Sequence, residues 1–238
     1  MRGRFLVSSN ETSLEGNIYA NKSALVLDWL IRRDMDKAVF SIREVAQEIH
    51  VSVGLVQKVI SALVLKGILQ TEGVRTAKRF KLKNHKLLLK SWLEAYNIVK
   101  KCKMWTYRSG FQGKKELLEV LKKSNLNEKV ILALHSAAEA LGCKNTNLNT
   151  LELYLLDPGI RSRIEQLLLL EPQERGYEVL LIEPYYKSLL HQSDVNAVLK
   201  TSPPLLTFLD LYHFPLRGQE QAEFMADRIP ELKRCFKR

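Results

Sequence analysis

Between Ser41 and Val64 the chain carries two short apolar repeats separated by a three-residue break, and this spacing limits what the region can become. Val45, Ala46 and Ile49 share one face of a first helix. Leu55, Val56, Val59, Ile60, Leu63 and Val64 share one face of a second. Both sets follow the three-to-four-residue period of a helix laid on a core. Ser41 with Glu44 three residues on predicts a capping box, in which each side chain satisfies a free backbone N–H at the other position. His50-Val51-Ser52 leaves room only for a tight turn, with Ser52 placed to cap the second helix, and Gly67 predicts where that helix stops. Leu25, Leu27, Leu30 and Ile31 predict an earlier helix from near Ala24 to near Arg33, and 68–71 and 79–82 predict strands flanking a turn at 72–75.

Charge is distributed as unevenly as the apolar pattern. The formal net charge of +11 divides into +10 over residues 1–103 and +1 over 104–238. Between Arg75 and Lys90 there are seven Lys or Arg and no acid. Such a cationic half predicts a polyanionic partner. Anionic membrane is the competing partner, but no basic amphipathic helix or acylation motif supports it. Cys102, Cys143 and Cys235 are few and far apart, without a CxxC pair, which argues for a reducing compartment and against a disulfide framework or a zinc site. With no leader-like or spanning apolar run, the expected location is the cytoplasm.

Helix, capped helix, turn, helix, glycine stop and basic hairpin, in that order, predict a winged helix-turn-helix that binds double-stranded DNA. Ser52, Gly54, Gln57, Lys58 and Ser61 fall on the outer face of the second helix of the pair. Gln57 is suited to adenine, Lys58 to a guanine edge or a phosphate, and Gly54 to close backbone approach. Arg75, Thr76, Lys78 and Arg79 would supply wing contacts. Duplex DNA is favoured over RNA because the presumed wing strands carry no pair of stacking aromatics. One such domain reads few bases, so a homodimer or repeated sites are expected.

The second half alternates strand and helix signals. Strands are predicted at 104–107, 130–134, 151–155 and 177–182, with helices at 114–123 and 136–141 and a helix start at Asp157-Pro158. A lysine-rich helix over 87–101 is expected to connect the halves, and two helices, 203–212 and 218–229, to end the chain. Ser202 is placed to cap the first of these, and Asp210 to pair with Arg217 between them. No phosphate-binding glycine loop, HExxH or GxSxG motif occurs. Glu178, Glu183 and Asp157 lack the following lysine of a metal-dependent nuclease, and His135, His191 and His213 are scattered. No catalytic, cofactor or metal site is therefore expected. A nuclease-like second half, or one that senses a small effector, are the alternatives.

The terminal pattern Ser202-Pro203, Asp210-Leu211, Arg217-Gly218, Glu220, Ala222-Glu223, with the 134–138 junction, the 177–184 strand and an N-terminal winged helix, resembles the AbiEi family. These are antitoxins and transcriptional regulators of type IV toxin–antitoxin systems. The resemblance implies autorepression through inverted repeats and neutralisation of a nucleotidyltransferase toxin without a stable complex. The expected organisation is an α+β chain: a flexible arm (1–20), a winged helix-turn-helix (21–86), a connecting helix (87–103), and a C-terminal α/β domain (104–238) with a mixed sheet flanked by helices.

Overall fold

A computed structural model describes residues 17–33, 39–74, 78–191 and 198–236. The chain is α+β with a mixed sheet. In the first half, α1 (Ala24–Arg32), α2 (Ile42–Glu48) and α3 (Val53–Leu65) precede a hairpin of β1 (Leu69–Glu72) and β2 (Arg79–Leu82). The local signals act as read from sequence. Ser41 Oγ accepts from Glu44 N at 3.1 Å while the Glu44 carboxylate accepts from Ser41 N at 3.3 Å. Ser52 Oγ accepts from Leu55 N at 3.2 Å. α3 ends with Gly67 at φ 67°, where the Gly67 and Ile68 N–H groups return to Val64 and Leu63 carbonyls. α2 ends in the same manner, but the left-handed position is taken by His50 at φ 52°, with Val51 N bonding Ala46 O.

The hairpin is tied back to the helices by an aromatic hinge. β1 and β2 are antiparallel, Leu69 opposite Leu82 and Glu72 opposite Arg79. On its other side β2 exchanges backbone bonds between Phe80 and Phe40, a residue lying between α1 and α2. The Phe40 ring packs edge-on to Trp29 at 5.1 Å and lies 6.0 Å from Phe80.

The segment expected as one helix over 87–101 is two: α4 (His85–Ala95) and α5 (Ile98–Lys101). Tyr96 is extended, and the Asn97 side chain accepts from Lys100 N, so a new cap outcompetes continuation of the helix.

Beyond it come β3 (Lys103–Ser109), α6 (Lys114–Lys123), β4 (Val130–Leu132), α7 (Leu134–Ala140), β5 (Leu151–Leu155), α8 (Arg161–Leu167), β6 (Leu170–Pro172) and β7 (Val179–Glu183). The chain continues through α9 (Lys187–Leu190), β8 (Lys200–Thr201), α10 (Pro204–Tyr212), α11 (Gly218–Arg228) and α12 (Pro230–Phe236). The six-stranded sheet runs β6-β3-β7-β5-β4-β8, with β5/β7 and β4/β8 parallel and the other pairs antiparallel.

Period-two alternation sorts its side chains to two cores. Leu153, Leu181 and Val130 join Leu117, Leu121 and Ile164 on one face. Ile131, Tyr154 and Ile182 face the other, whose core continues through Phe208, Met225 and Leu232 to Trp92, Leu30 and Phe40. That second core is continuous across both halves. α12, a further helix beyond the expected last one at 218–229, packs against α1 and α4.

Two polar hubs sit in this core. Glu152 of β5 accepts from Ser136 N at 2.9 Å and from Ser136 Oγ at 2.5 Å, fixing the start of α7 just after Leu134 at φ 45°. Asp210 of α10 accepts from Tyr96 Oη at 2.7 Å and Tyr154 Oη at 2.5 Å. The expected Asp210–Arg217 pair is thus absent: Asp210 is buried, and Arg217 is exposed and bonds Glu220. Nor does Ser202 cap α10. Its N–H extends the β4 edge by bonding Leu132 O, and Pro203 occupies the cap position. Gly218 answers to close approach, since a Cβ there would lie 2.4 Å from Leu211 O.

Burial pushes the Asp210 carboxyl from its ordinary 3.8 up to about 7, and the two tyrosine bonds only partly oppose this. Between those values the folded chain holds a proton that the unfolded chain has lost. Stability from neutral Asp210 is therefore complete below about pH 4 and lost as the pH rises through 7. Urea titrations across pH 4–7 should show wild-type stability falling by up to about 1.4 kcal/mol per unit, and Asp210→Asn flattening that decline. An equally steep decline in the variant would assign it to another group.

Candidate nucleic-acid interface

α3 is amphipathic in the strict sense that its two faces have different fates. Val56, Val59, Ile60 and Leu63 are buried, whereas Ser52, Gly54, Gln57, Lys58 and Ser61 are exposed. Nothing lies within 4 Å of a Cβ built on Gly54, so no internal packing requires glycine there. Its effect is to leave a hollow on the outer face.

Two grooves flank this face. One, of about 530 Å³, lies between α3 and β2 and is lined by Gln57, Val53, Arg43, Lys78 and Arg79. The other, of about 590 Å³, lies on the opposite flank, where Lys58 and Ser61 face residues 17–19. Gln57 borders both. The structure therefore brings Gln57, Lys78 and Arg79 together and sets Lys58 and Ser61 on the far side of the helix. Ser52 spends its hydroxyl on the α3 cap. Arg75 and Thr76 lie outside the described residues.

The cations differ in how firmly they are held. Lys78 Nζ stands 5.7 Å from the Phe80 ring centroid. Arg79 is 3.9 Å from the Glu44 carboxylate, which also receives Arg33 at 2.8 Å. Burial works to raise the Glu44 pKa, but the Arg33 bond and charge, the Ser41 N–H and the Arg79 charge outweigh it and hold it below its ordinary value. Arg79 consequently shares its anion with Arg33, which lies over Trp29 at 4.5 Å and so stays with the core. A half-exposed pair at 3.9 Å contributes little and is readily exchanged for a phosphate.

Sequence does not single out Arg43, which falls inside the Ser41–Glu44 capping box. Its exposed position in the first turn of α2, beside Ser41, is the signal that finds it. Asn17 and Tyr19 were likewise assigned to an arm rather than to the edge of α3.

In the second half, two of the carboxylates weighed as metal ligands serve backbone groups, and the third, Glu183, pairs with Lys187 at 3.4 Å and Lys103 at 3.8 Å. Glu178 Oε2 accepts from Ser109 N at 2.7 Å, and Asp157 Oδ1 accepts from Gly159 N at 2.9 Å. Among the described residues no group of three or more His, Cys, Asp or Glu is arranged to hold a metal ion. His135 is buried, and desolvation together with the Lys114 charge drives its pKa down to about 4. His213 Nε2 lies 2.7 Å from Leu93 O. No helix among the described residues is long and apolar enough to cross a membrane.

The caps and the exposed face should separate cleanly in stability measurements. Ser41→Ala and Ser52→Ala should each cost about 1 kcal/mol by urea unfolding. Lys58→Ala and Gln57→Ala should stay within about 0.5 kcal/mol of wild type, as surface positions do. A large loss at Gln57 or Lys58 would show that those side chains support the fold.

No curated protein and no solved structure gives a significant match to the chain. A family described as transcriptional regulator, AbiEi antitoxin, type IV toxin–antitoxin system, matches residues 81–230. The match begins within β2 and ends at the start of α12, so it takes in the mixed sheet, both polar hubs and the Arg217-Gly218 turn, and leaves α1–α3 outside it. The chain belongs to this AbiEi family of transcriptional regulators and type IV antitoxins.

Proposed function

We propose that the chain is a sequence-specific, DNA-binding autorepressor that also serves as the antitoxin to a nucleotidyltransferase toxin. In this reading residues 21–86 are a winged helix-turn-helix, 87–103 a connector, and 104–238 the antitoxin or regulatory domain. The observation that carries it is the groove on the outer face of α3, where Gln57 stands with Arg43, Lys78 and Arg79 beside a capped helix start. α1–α3 followed by an antiparallel hairpin, with its second strand also bridged to the α1–α2 link, is the order a winged helix requires. Charge supports it too, since the excess of cations lies in the first 103 residues.

On DNA, α3 enters the major groove, Gln57 reads a base edge, and Lys58 meets a base edge or phosphate. Arg75, Lys78 and Arg79 neutralise phosphates, with Arg79 trading Glu44 for the polymer, and the Thr76 hydroxyl donates a hydrogen bond to a phosphate oxygen. Two copies on inverted repeats supply the specificity that one domain lacks. Membership of the antitoxin family supports the toxin as the second partner.

Binding of the full chain to a duplex from its own promoter, followed by fluorescence anisotropy between 50 and 200 mM salt, tests this. Arg75→Ala, Lys78→Ala and Arg79→Ala together should weaken binding to all sequences and lower the salt slope by about one unit per lost phosphate contact. Gln57→Ala should instead relax preference at one base pair by about 1–3 kcal/mol. An unchanged slope removes the hairpin from the account. Failure of wild type to prefer the promoter duplex over a scrambled one overturns the regulatory reading.

A further inference from the structure

α4 and α12, which pack against each other, leave a groove of about 450 Å³ beside the end of α10. One wall is α4, where Lys86, Leu89, Lys90 and Leu93 recur at helical spacing on a single face. The other wall comes from the second half: Tyr212 at the end of α10, with Cys235 and Phe236 at the end of α12. The Tyr212 and Phe236 rings meet edge-on at 6.0 Å, and the buried Phe208 packs against both. Leu89, Leu93 and Cys235 are buried and give the groove an apolar floor. Burial pushes the Cys235 thiol up to about 11, so it stays uncharged at neutral pH.

The rim is cationic. Lys86 and Lys90 are exposed one turn apart, and no Asp or Glu lines the groove. Lys90 meets Glu94 at 3.9 Å with both side chains mostly exposed, a pair that holds it weakly. The first turn of α4 lies here too, with Asn84 and Leu87, and it carries no acid, so the positive end of the helix dipole adds to the two charges. Small-molecule sites favour such places, apolar within, with a few polar groups at the mouth, where two parts of a chain meet. A phosphate backbone would meet the lysines but gain nothing from the aromatic wall. A flat ring bearing a carboxylate uses both.

We propose that this groove binds a small aromatic carboxylate, its ring against Tyr212 and Phe236 and its carboxylate between Lys86 and Lys90. Its position links the bound state to the first half. Asn84, which caps α4 and lines the groove, lies two residues beyond the end of β2. α12 also packs on α1, and Tyr212 lies two residues from Asp210 in its tyrosine hub. A ligand seated between α4 and α12 therefore alters affinity for duplex. That consequence rests on the DNA-binding reading above, whereas the site itself does not.

The test uses the full chain and 1-naphthoate, followed by titration calorimetry, with 1-naphthalenemethanol as the uncharged counterpart. The carboxylate should bind saturably, about fivefold tighter than the alcohol, and Lys86→Ala with Lys90→Ala should abolish that preference. Leu87→Trp, at an exposed position of the rim, should fill the groove and block both compounds. Saturating naphthoate should shift the anisotropy-measured duplex affinity of wild type by about fivefold and leave that of Leu87→Trp unmoved. No saturable binding overturns the site, as does binding that Leu87→Trp and the double alanine variant leave unchanged. Naphthoate bound in the groove with duplex affinity unmoved overturns the coupling alone. Absence of duplex binding by the ligand-free chain overturns the DNA reading, and the calorimetry still decides the site.

Discussion

Asp210 lies between the hydroxyls of Tyr96 and Tyr154, and the rest of the structure is arranged around that buried carboxyl. Its three members come from α10, the end of α4 and the central strand β5, so one hub joins the helical half to the sheet. Removing the carboxyl would leave two tyrosine hydroxyls buried without their acceptor, a cost on the scale of several kcal/mol. A short distance away, Tyr186 takes a bond from Trp92 and gives one to Tyr19. Together with α12 lying against α1 and α4, these contacts make the two halves share one core. Any ligand or partner that displaced α10 or α12 would therefore be felt at α1. On the proposed reading, in which the first half binds DNA, such a joint is the physical means of coupling it to the sheet half.

The outer face of α3 is arranged differently, by what is missing from it. Core residues occupy one side, and on the other small or polar side chains leave grooves on both flanks. Arg33 and Glu44 stabilise the α1–α2 pair and hold Arg79 loosely at its edge. Cations that are neither buried nor tightly paired can exchange their weak partners for phosphate at little cost. This is why the proposed interface is assigned to the α3–β2 groove and not to the near-neutral sheet.

How far the sequence could be read depended on the range of the interaction. The capping box at Ser41, the Ser52 cap, the Gly67 stop and the paired strands rest on neighbours within a few residues, and each appears where its chemistry implied. Long apolar strands such as 151–155 were equally plain because both faces are buried. The failures share a different cause. The break at Tyr96-Asn97 combines a local Asn97 cap with a Tyr96 hydroxyl that reaches Asp210, 114 residues away. Asp210 looked like a partner for Arg217 on local grounds, yet its true partners come from two other elements. β6 and β8 are two or three residues long and exist only because β3 and β4 offer free edges. In the site, local periodicity sorted the outer face of α3 correctly, but only the fold brings Arg43 and the 17–19 segment beside it.

The central claim is that nucleic acid meets the α3 face while the sheet half, through the shared core, stays clear of it. Amide chemical shifts of the full chain, followed while a promoter duplex is titrated in, test this most directly. The account predicts the largest shifts at residues 41–43, 52–61 and 78–81 and along 17–19, with β4, β5 and β7 unmoved. Shifts concentrated in the sheet half, with the α3 face silent, would contradict it.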